Sequence, residues 1–278
     1  MGRELAEHAI IERSIIKKYR KEIWNPFTYA VKKYELIREG DSIAVCISGG
    51  KDSMLLAKLM QEIHAHGGVP FTLKFIVMDP GYNPANRAKI EGNLAKLNID
   101  AEIFTSDIFD IANNAGGNPC YLCARMRRGT LYAKAREIGC TKIALGHHFN
   151  DVIETTVMGM FFGAQIQAML PKLHSTNFPG MELIRPMYCI HEEDILAWCR
   201  YNGLSFIQCA CRFTEYAAND ETVSKRKVVK ELLRFLKKDN PDIEKSIFNS
   251  IHTVSLDTMV GWKTKGEEHT FLEHYYDT

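Results

Sequence analysis

The sequence predicts an α/β protein: a doubly wound, mostly parallel sheet with helical additions at the N- and C-terminal ends. Three observations predict it. Short apolar runs alternate with longer amphipathic stretches from residue 42 to residue 201, the pattern of strands that return through helices. The first run, Ile43 to Ile47, stops abruptly at Ser48-Gly49-Gly50-Lys51-Asp52-Ser53, and a helix-like stretch follows at once. The 278 residues, 46% of them apolar, suffice for one large α/β domain with helical additions.

The elements follow in order. Residues 3–38 are charged and amphipathic, with Ile10, Ile11, Ile15, Ile16 and Tyr19 near helical spacing, which predicts one or two helices. Glu39-Gly40-Asp41 ends them. Apolar runs predict strands at 42–47, 72–78, 101–105, 142–145 and 182–185. Between and after them, helices are predicted at 54–66, 83–97, 123–138, 151–162 and 191–201, with Gly67-Gly68-Val69-Pro70 breaking the first from the next strand. Residues 224–278 read as helical, most strongly over 225–237. The expected division is an N-terminal helical segment (1–40), an α/β domain (41–215) and a C-terminal helical segment (216–278), without repeats or a low-complexity linker.

Composition narrows the function classes. The net charge is +1, so any nucleic-acid binding must come from local basic patches. No basic-then-apolar leader opens the sequence, which predicts no signal peptide, and position 6 lacks the Ser or Thr of a myristoylation signal. The longest apolar stretch, 157–170, is broken by Gly and Gln and is too short to span a bilayer. A cytoplasmic protein with no membrane partner is expected. Its eight cysteines are then thiols or metal ligands rather than disulfides.

The turn at 48–53 is built for an anion. A glycine turn between strand and helix points backbone N–H groups outward, and the helix amino end favours negative charge. Gly49 and Gly50 leave that approach open, Lys51 adds positive charge, and Ser48 and Ser53 offer hydroxyl donors. Asp52 is suited to hold Mg2+ beside phosphates. The stretch is not a Walker A loop, which needs four residues between its first Gly and Gly-Lys-Ser/Thr.

A second constellation is thiol-based. Residues 119–132 read P-C-Y-L-C-A-R-M-R-R-G-T-L-Y, and residues 208–212 read Q-C-A-C-R. Cys120 and Cys123 have the spacing of a metal or cluster pair, joined by Cys209 and Cys211. Four thiolates would make a closed structural zinc site. Three thiolates on a 4Fe-4S cluster would leave one iron without a protein ligand, free to bind a small exogenous group. The tight C-x-C spacing favours three ligands. Cys46, Cys140, Cys189 and Cys199 fall in or beside predicted elements and read as core thiols.

Ser48 to Ser53 resembles the PP-loop of the ATP pyrophosphatase superfamily, which implies that ATP enters and that AMP and pyrophosphate leave. L-G-H-H-F-N-D-V-I-E-T-T-V-M-G-M-F-F-G at 145–163, A-M-L-P-K at 168–172 and I-R-P-M at 184–187 extend the likeness. With C-x-L-C-A-R-M-R-R-G and the helical lead-in, the chain from about residue 10 to about 212 resembles the tRNA 2-thiocytidine synthetase family. That resemblance implies a tRNA thiolase acting on cytidine 32 of the anticodon loop, with ATP, Mg2+ and a 4Fe-4S cluster bound by three cysteines. It also implies a sulfur donor such as a cysteine desulfurase, and the family often forms homodimers. Related 2-thiouridine and 2-thioribothymidine synthetases carry extra zinc-finger cysteine pairs at their ends. None occurs here, which favours the thiocytidine branch.

Two departures stand out. The second cysteine site is C-x-C rather than C-x-x-C. The preceding Phe206-Ile207-Gln208 aligns Cys209 with the ligand position, and Cys211 is the alternative. The family usually has two acidic residues after G-H-H-x, whereas Asn150 here leaves Asp151 alone.

The implied mechanism starts from a poor leaving group. The 2-oxygen of cytidine attacks the α-phosphorus of ATP, pyrophosphate leaves, and sulfur then displaces AMP from the activated carbon. Lys51 and the loop N–H groups would stabilise phosphate charge, and Asp52 would position Mg2+. Asp151 is a candidate acid–base or positioning residue, with capping of the helix predicted to start near Val152 as its structural alternative. Gly146, His147 and Asp79 join Ser48–Ser53 as nucleotide-site candidates, since doubly wound folds bind ligands at strand carboxyl ends. Arg125, Arg127 and Arg128 are the candidate tRNA-phosphate contacts. Lys17, Lys18, Arg20 and Lys21, and Lys225, Arg226 and Lys227, are further basic clusters. The alternatives are 2-thiolation of another nucleoside, a ligase of the same superfamily with structural zinc, and a cluster-based sensor that binds tRNA without turnover.

Overall fold

The structure, a computed structural model, describes residues 5–106, 108, 119–207 and 221–276, with side chains at all of these except 119–125, 221–224 and 274. The chain forms two compact units, Met1–Lys230 and Glu231–Thr278.

In the first unit, α1 (Glu7–Arg13) and α2 (Asn25–Lys33) are joined by two wide turns, Ser14–Lys18 and Arg20–Trp24, closed by bonds such as Tyr19 N to Ser14 O at 2.8 Å. The widened turns keep Ile23 and Phe27 on the buried face begun by Ile11 and Ile15. Buried Ser14 Oγ accepts from Trp198 Nε1 and Asn202 Nδ2, both at 3.1 Å, which pins this lead-in to the body of the unit.

The sheet contains β1 (Ser42–Ile47), β2 (Thr72–Asp79), β3 (Glu102–Thr105), β4 (Lys142–Ala144), β5 (Lys172–His174) and β6 (Glu182–Ile184), in the order β3-β2-β1-β4-β6-β5. All neighbours run parallel except β5 against β6. Helices α3 (Lys51–His66), α4 (Pro84–Lys96), α5 (Pro119–Glu137), α6 (Phe149–Gly163) and α7 (Glu192–Tyr201) complete the layers. Strand alternation splits β1 between two cores. Ile43, Val45 and Ile47 join one with α3, α4, α7 and the N-terminal helices, while Ala44 and Cys46 join another with Tyr132 and Ala135 of α5. Both faces are therefore covered, which explains why the parallel strands read as continuous apolar runs rather than alternating ones.

The predicted doubly wound sheet is present, with two differences in detail. β5 was not anticipated: three residues beside Pro171 are too few to show a period. The tail was expected to be helical throughout. It begins that way, with α8 (Glu221–Asp239) and α9 (Ile243–Ser250), but β7 (Gly261–Thr264) and β8 (Glu267–Thr270) then form an antiparallel hairpin before α10 (Leu272–Tyr275). Lys265 and Gly266 both have positive φ, 51° and 89°, as a two-residue primed turn requires. Trp262 stacks on His269 across the pair at 5.5 Å. Among the described residues, no helix is long and apolar enough to cross a membrane.

Candidate active site

Strand order reverses between β1 and β4, and the loops leaving their carboxyl ends meet there. The loop after β1 is held closed by Ser53. Its Oγ accepts from Ser48 N at 3.1 Å and donates to Gly50 O at 3.0 Å. Gly49 has φ +83°, and a Cβ there would lie 2.6 Å from Ile90 Cγ1, so only glycine fits. Gly50 differs. It caps α3 in an extended conformation, and a Cβ there would meet nothing nearer than 3.7 Å. The room beside Gly50 leaves the loop backbone open to the close approach of an anion.

Gly146, after β4, is pressed onto the first turn of α3. A Cβ there would sit 3.1 Å from Asp52 C and Ser53 N, backbone atoms that cannot swing aside. Gly146→Ala is expected to cost about 1–3 kcal/mol, as overpacking does, and to shift Lys51 and Asp52. Urea denaturation together with ATP binding checks this: unchanged stability and affinity would show that the contact is soft.

Three helix amino ends converge here, each with charge in its first turn: Lys51 and Asp52 on α3, Asp151 on α6 and Glu192 on α7. Lys51 Nζ lies 3.1 Å from Glu192 Oε1 and 3.1 Å from both Asp52 oxygens, donating to Oδ2. Burial alone would lower the Lys51 ammonium, but Asp52 and Glu192 more than offset it and its pKa is raised. Asp151 accepts from the His148 backbone N–H at 3.0 Å and from Arg226 Nη1 at 3.1 Å. Burial raises its carboxyl, yet His148, His147 and Arg226 prevail and its pKa is lowered. Asp151 is therefore both a cap of α6 and a charged wall of the site. His147 is pushed down to about 4 by burial and the nearby Arg185 guanidinium, so its imidazole is neutral at pH 7.

The loop separates two clefts. One, of about 390 Å³, is bordered by Ser48, Asp52, His147, Asp151, Arg127 and Arg128. The other, of about 540 Å³, is bordered by Gly50, Lys51, Glu192, Cys199 and Ile207. His147 Nδ1 and His148 Nδ1 are buried without a hydrogen-bond partner, and buried Asp52 Oδ1 has its ion pair with Lys51. Buried polar atoms are nearly always satisfied, so these orphans fit a polar ligand such as a nucleotide with its cation.

The other expected residues divide. Arg127 and Arg128 border the first cleft. Cys120, Cys123 and Arg125 stand near the start of α5, the helix that carries both arginines. Cys209 and Cys211 lie outside the described residues. Asp79 is committed to its own loop: Oδ1 accepts from Gly81 N at 2.9 Å and Tyr82 N at 2.7 Å, and Oδ2 pairs with Arg87 at 2.7 Å. Tyr82 in turn donates its hydroxyl to Ser48 O at 3.4 Å. Cys46, Cys140 and Cys199 are buried free thiols and Cys189 a half-buried one. Burial pushes the Cys189 and Cys199 thiols up to about 11.

Sequence reasoning missed Glu192, Glu154, Arg185 and Lys230. Arg226, grouped by sequence with Lys225 and Lys227 as a basic patch, lies 3.8 Å from Glu154 Oε2 as well as against Asp151. Lys230, one turn on, lies 3.5 Å from Glu154 and 3.3 Å from Glu192. Their i, i+4 spacing was the available signal. Asn150, where the family usually has an acid, accepts from Glu192 N at 2.9 Å and so sets the start of α7. Arg185 is buried with Nε unpartnered, and burial and Arg128 bring it down to about 10.

Comparison with known proteins agrees with this geometry. Residues 17–233 match the family described as PP-loop domain. The tRNA-cytidine(32) 2-sulfurtransferase of Geobacter metallireducens is 33% identical over 241 residues, 86% of this chain and 91% of that one. The protein of the same name from Cellvibrio japonicus is 34% identical over 87% of this chain and 79% of its own. Among solved structures, the U34-tRNA thiolase NcsA from Methanococcus maripaludis, described with its 4Fe-4S cluster, superposes with a TM-score of 0.66. That match covers 82% of this chain and 77% of NcsA at 21% identity, a likeness of fold. A loop shaped for an anion, at the switch point of a doubly wound sheet, in a chain that shares a third of its residues with those enzymes over most of its length, leads to one assignment: the chain belongs to the PP-loop family, among the tRNA-cytidine(32) 2-sulfurtransferases.

Proposed function

We propose that this chain uses ATP to activate the 2-oxygen of cytidine 32 in the tRNA anticodon loop and exchanges it for sulfur. The observation that carries the reading is the shared cleft. The loop's Ser48 and Asp52 face Arg127 and Arg128 of α5, the helix that also bears Cys120 and Cys123. Gly50 and Lys51 border the neighbouring cleft and Asp52 borders both, so phosphate held on the loop can meet RNA chemistry across Asp52.

The loop N–H groups and Lys51 would take the β- and γ-phosphates and stabilise the charge that grows as pyrophosphate leaves. Asp52, whose buried Oδ1 has the Lys51 ammonium at 3.1 Å, is the group to hold Mg2+. Neutral His147 can donate or accept one hydrogen bond without repelling a cation, and ionised Asp151 can accept a proton or orient the base. Arg125, Arg127 and Arg128 would grip tRNA phosphates while the target base, splayed from its loop, enters the cleft. A 4Fe-4S cluster on Cys120, Cys123 and Cys209, with Cys211 the alternative third ligand, would supply the position from which sulfur is delivered. The reading includes a sulfur donor such as a cysteine desulfurase, a cytoplasmic site of action where tRNA is found, and the homodimer common in the family.

Nucleoside mass spectrometry of bulk tRNA tests the reading. Cells lacking the gene should lose 2-thiocytidine, and Cys120→Ala should fail to restore it while wild type does. Loss of a different thionucleoside would move the target. An unchanged thionucleoside profile would overturn the assignment.

A further inference from the structure

An unbroken line of ionisable side chains runs from the loop to α8. Lys51 contacts Glu192; Glu192 Oε2 is 3.3 Å from Lys230; Lys230 is 3.5 Å from Glu154; and Arg226 bridges Glu154 and Asp151. Lys51 cannot embrace a phosphate group and keep every present partner. Asp52 is its neighbour on the same helix and moves with it. Glu192 belongs to α7 and is the partner that can be exchanged. Its second oxygen already has a cation in Lys230, so releasing Lys51 does not strand a carboxylate. Arg226 and Lys230 are 41% and 33% exposed at their side chains, so their ion pairs contribute little to global stability.

We propose that Glu192 and Lys230 form a positioning pair that competes with polyphosphate for the loop lysine, coupling occupation of the loop to the seating of α8. This rests on the reading of the loop as a nucleotide site. With the loop empty, Glu192 divides its charge between Lys51 and Lys230. With phosphate on Lys51, Glu192 transfers wholly to Lys230 and draws α8, with Arg226, more firmly against Asp151. The loop and the acid at the start of α6 are thus set together.

The competition makes signed predictions. Glu192→Gln removes the competitor, so the full-length protein should bind the α,β-methylene analogue of ATP, with Mg2+, about tenfold more tightly, while tRNA-dependent turnover falls because α8 loses its anchor. Lys230→Met leaves Glu192 wholly to Lys51, so affinity should fall about tenfold. Lys230→Arg should restore it. The double variant should bind as tightly as Glu192→Gln alone, because Lys230 acts only through Glu192. Calorimetric titration of the four variants decides. Single variants that change affinity in the same direction, or a double variant that simply adds the two effects, would overturn the pair. No binding by the unaltered chain would instead overturn the nucleotide reading, and the pair with it.

Discussion

Lys51→Met is expected to lower tRNA-dependent release of AMP by about 10²–10³-fold, the loss typical when a preorganised donor to developing charge is removed. Lys51 is the first residue of α3, next to Gly50, which has room beside it. Its raised pKa keeps it charged at every pH at which the enzyme would be assayed. Truncation also leaves Asp52 and Glu192 facing each other without their shared cation, so phosphate should be repelled as well as unsupported. Both kcat and ATP affinity should therefore fall, whereas loss of uniform binding would raise KM alone. Thermal melting separates this from misfolding, since the core of α3 from Met54 to Met60 is untouched. A variant that folds and turns over within about threefold of wild type would remove Lys51 from the mechanism.

Glu154→Gln should change stability in a pH-dependent way. Burial pushes this carboxyl from 4.5 up to about 7 against the pull of Lys230 and Arg226. The sign follows from linkage. Below pH 4.5 the group is protonated in both states and costs nothing. Between 4.5 and 7 the unfolded chain gives up the proton while the folded chain keeps it, so stability falls as pH rises. The full cost is about 3 kcal/mol, present above pH 7. Glutamine has no proton to lose, so the variant should gain that amount relative to wild type between pH 4.5 and pH 8. His147, lowered to about 4, slopes the other way over part of the same window, but it is common to both proteins and cancels in the difference. Urea unfolding of the pair at pH 5 and pH 8 measures the effect. An equal difference at both would mean that Glu154 ionises normally in the folded state.

What could be read in advance followed the range of the interactions. The six residues from Ser48 to Ser53 are contiguous, and each has one job in cradling an anion, so the loop was legible. β1 was legible because burial on both faces leaves it an apolar run, and β2 because its buried stretch from Ile76 to Met78 is wholly apolar. Glu192, Glu154 and Lys230 were not, because their meaning lies in ion pairs 38 to 141 residues apart, whose one local trace is the i, i+4 spacing of Arg226 and Lys230. The hairpin at 261–270 was hidden for a different reason. Its strands are charged, and its turn is Lys-Gly where Asn-Gly would have announced it. Asp79, at a strand end, shows what the sequence also hides: its oxygens bond Gly81, Tyr82 and Arg87 and hold a turn.

The strand order also shapes how the chain comes into being. β1, β2 and β3 can pair once Thr105 has left the ribosome, but the other edge of β1 waits for β4, whose partners pair Ile43 with Lys142. Until then a nearly all-apolar strand presents an open row of N–H and C=O groups, a template for other nascent chains. Such long-range parallel pairing is slow to form. Interrupted synthesis between residues 105 and 142 should therefore yield the species most prone to aggregate, and the same contact that completes the active site is the one that closes that edge.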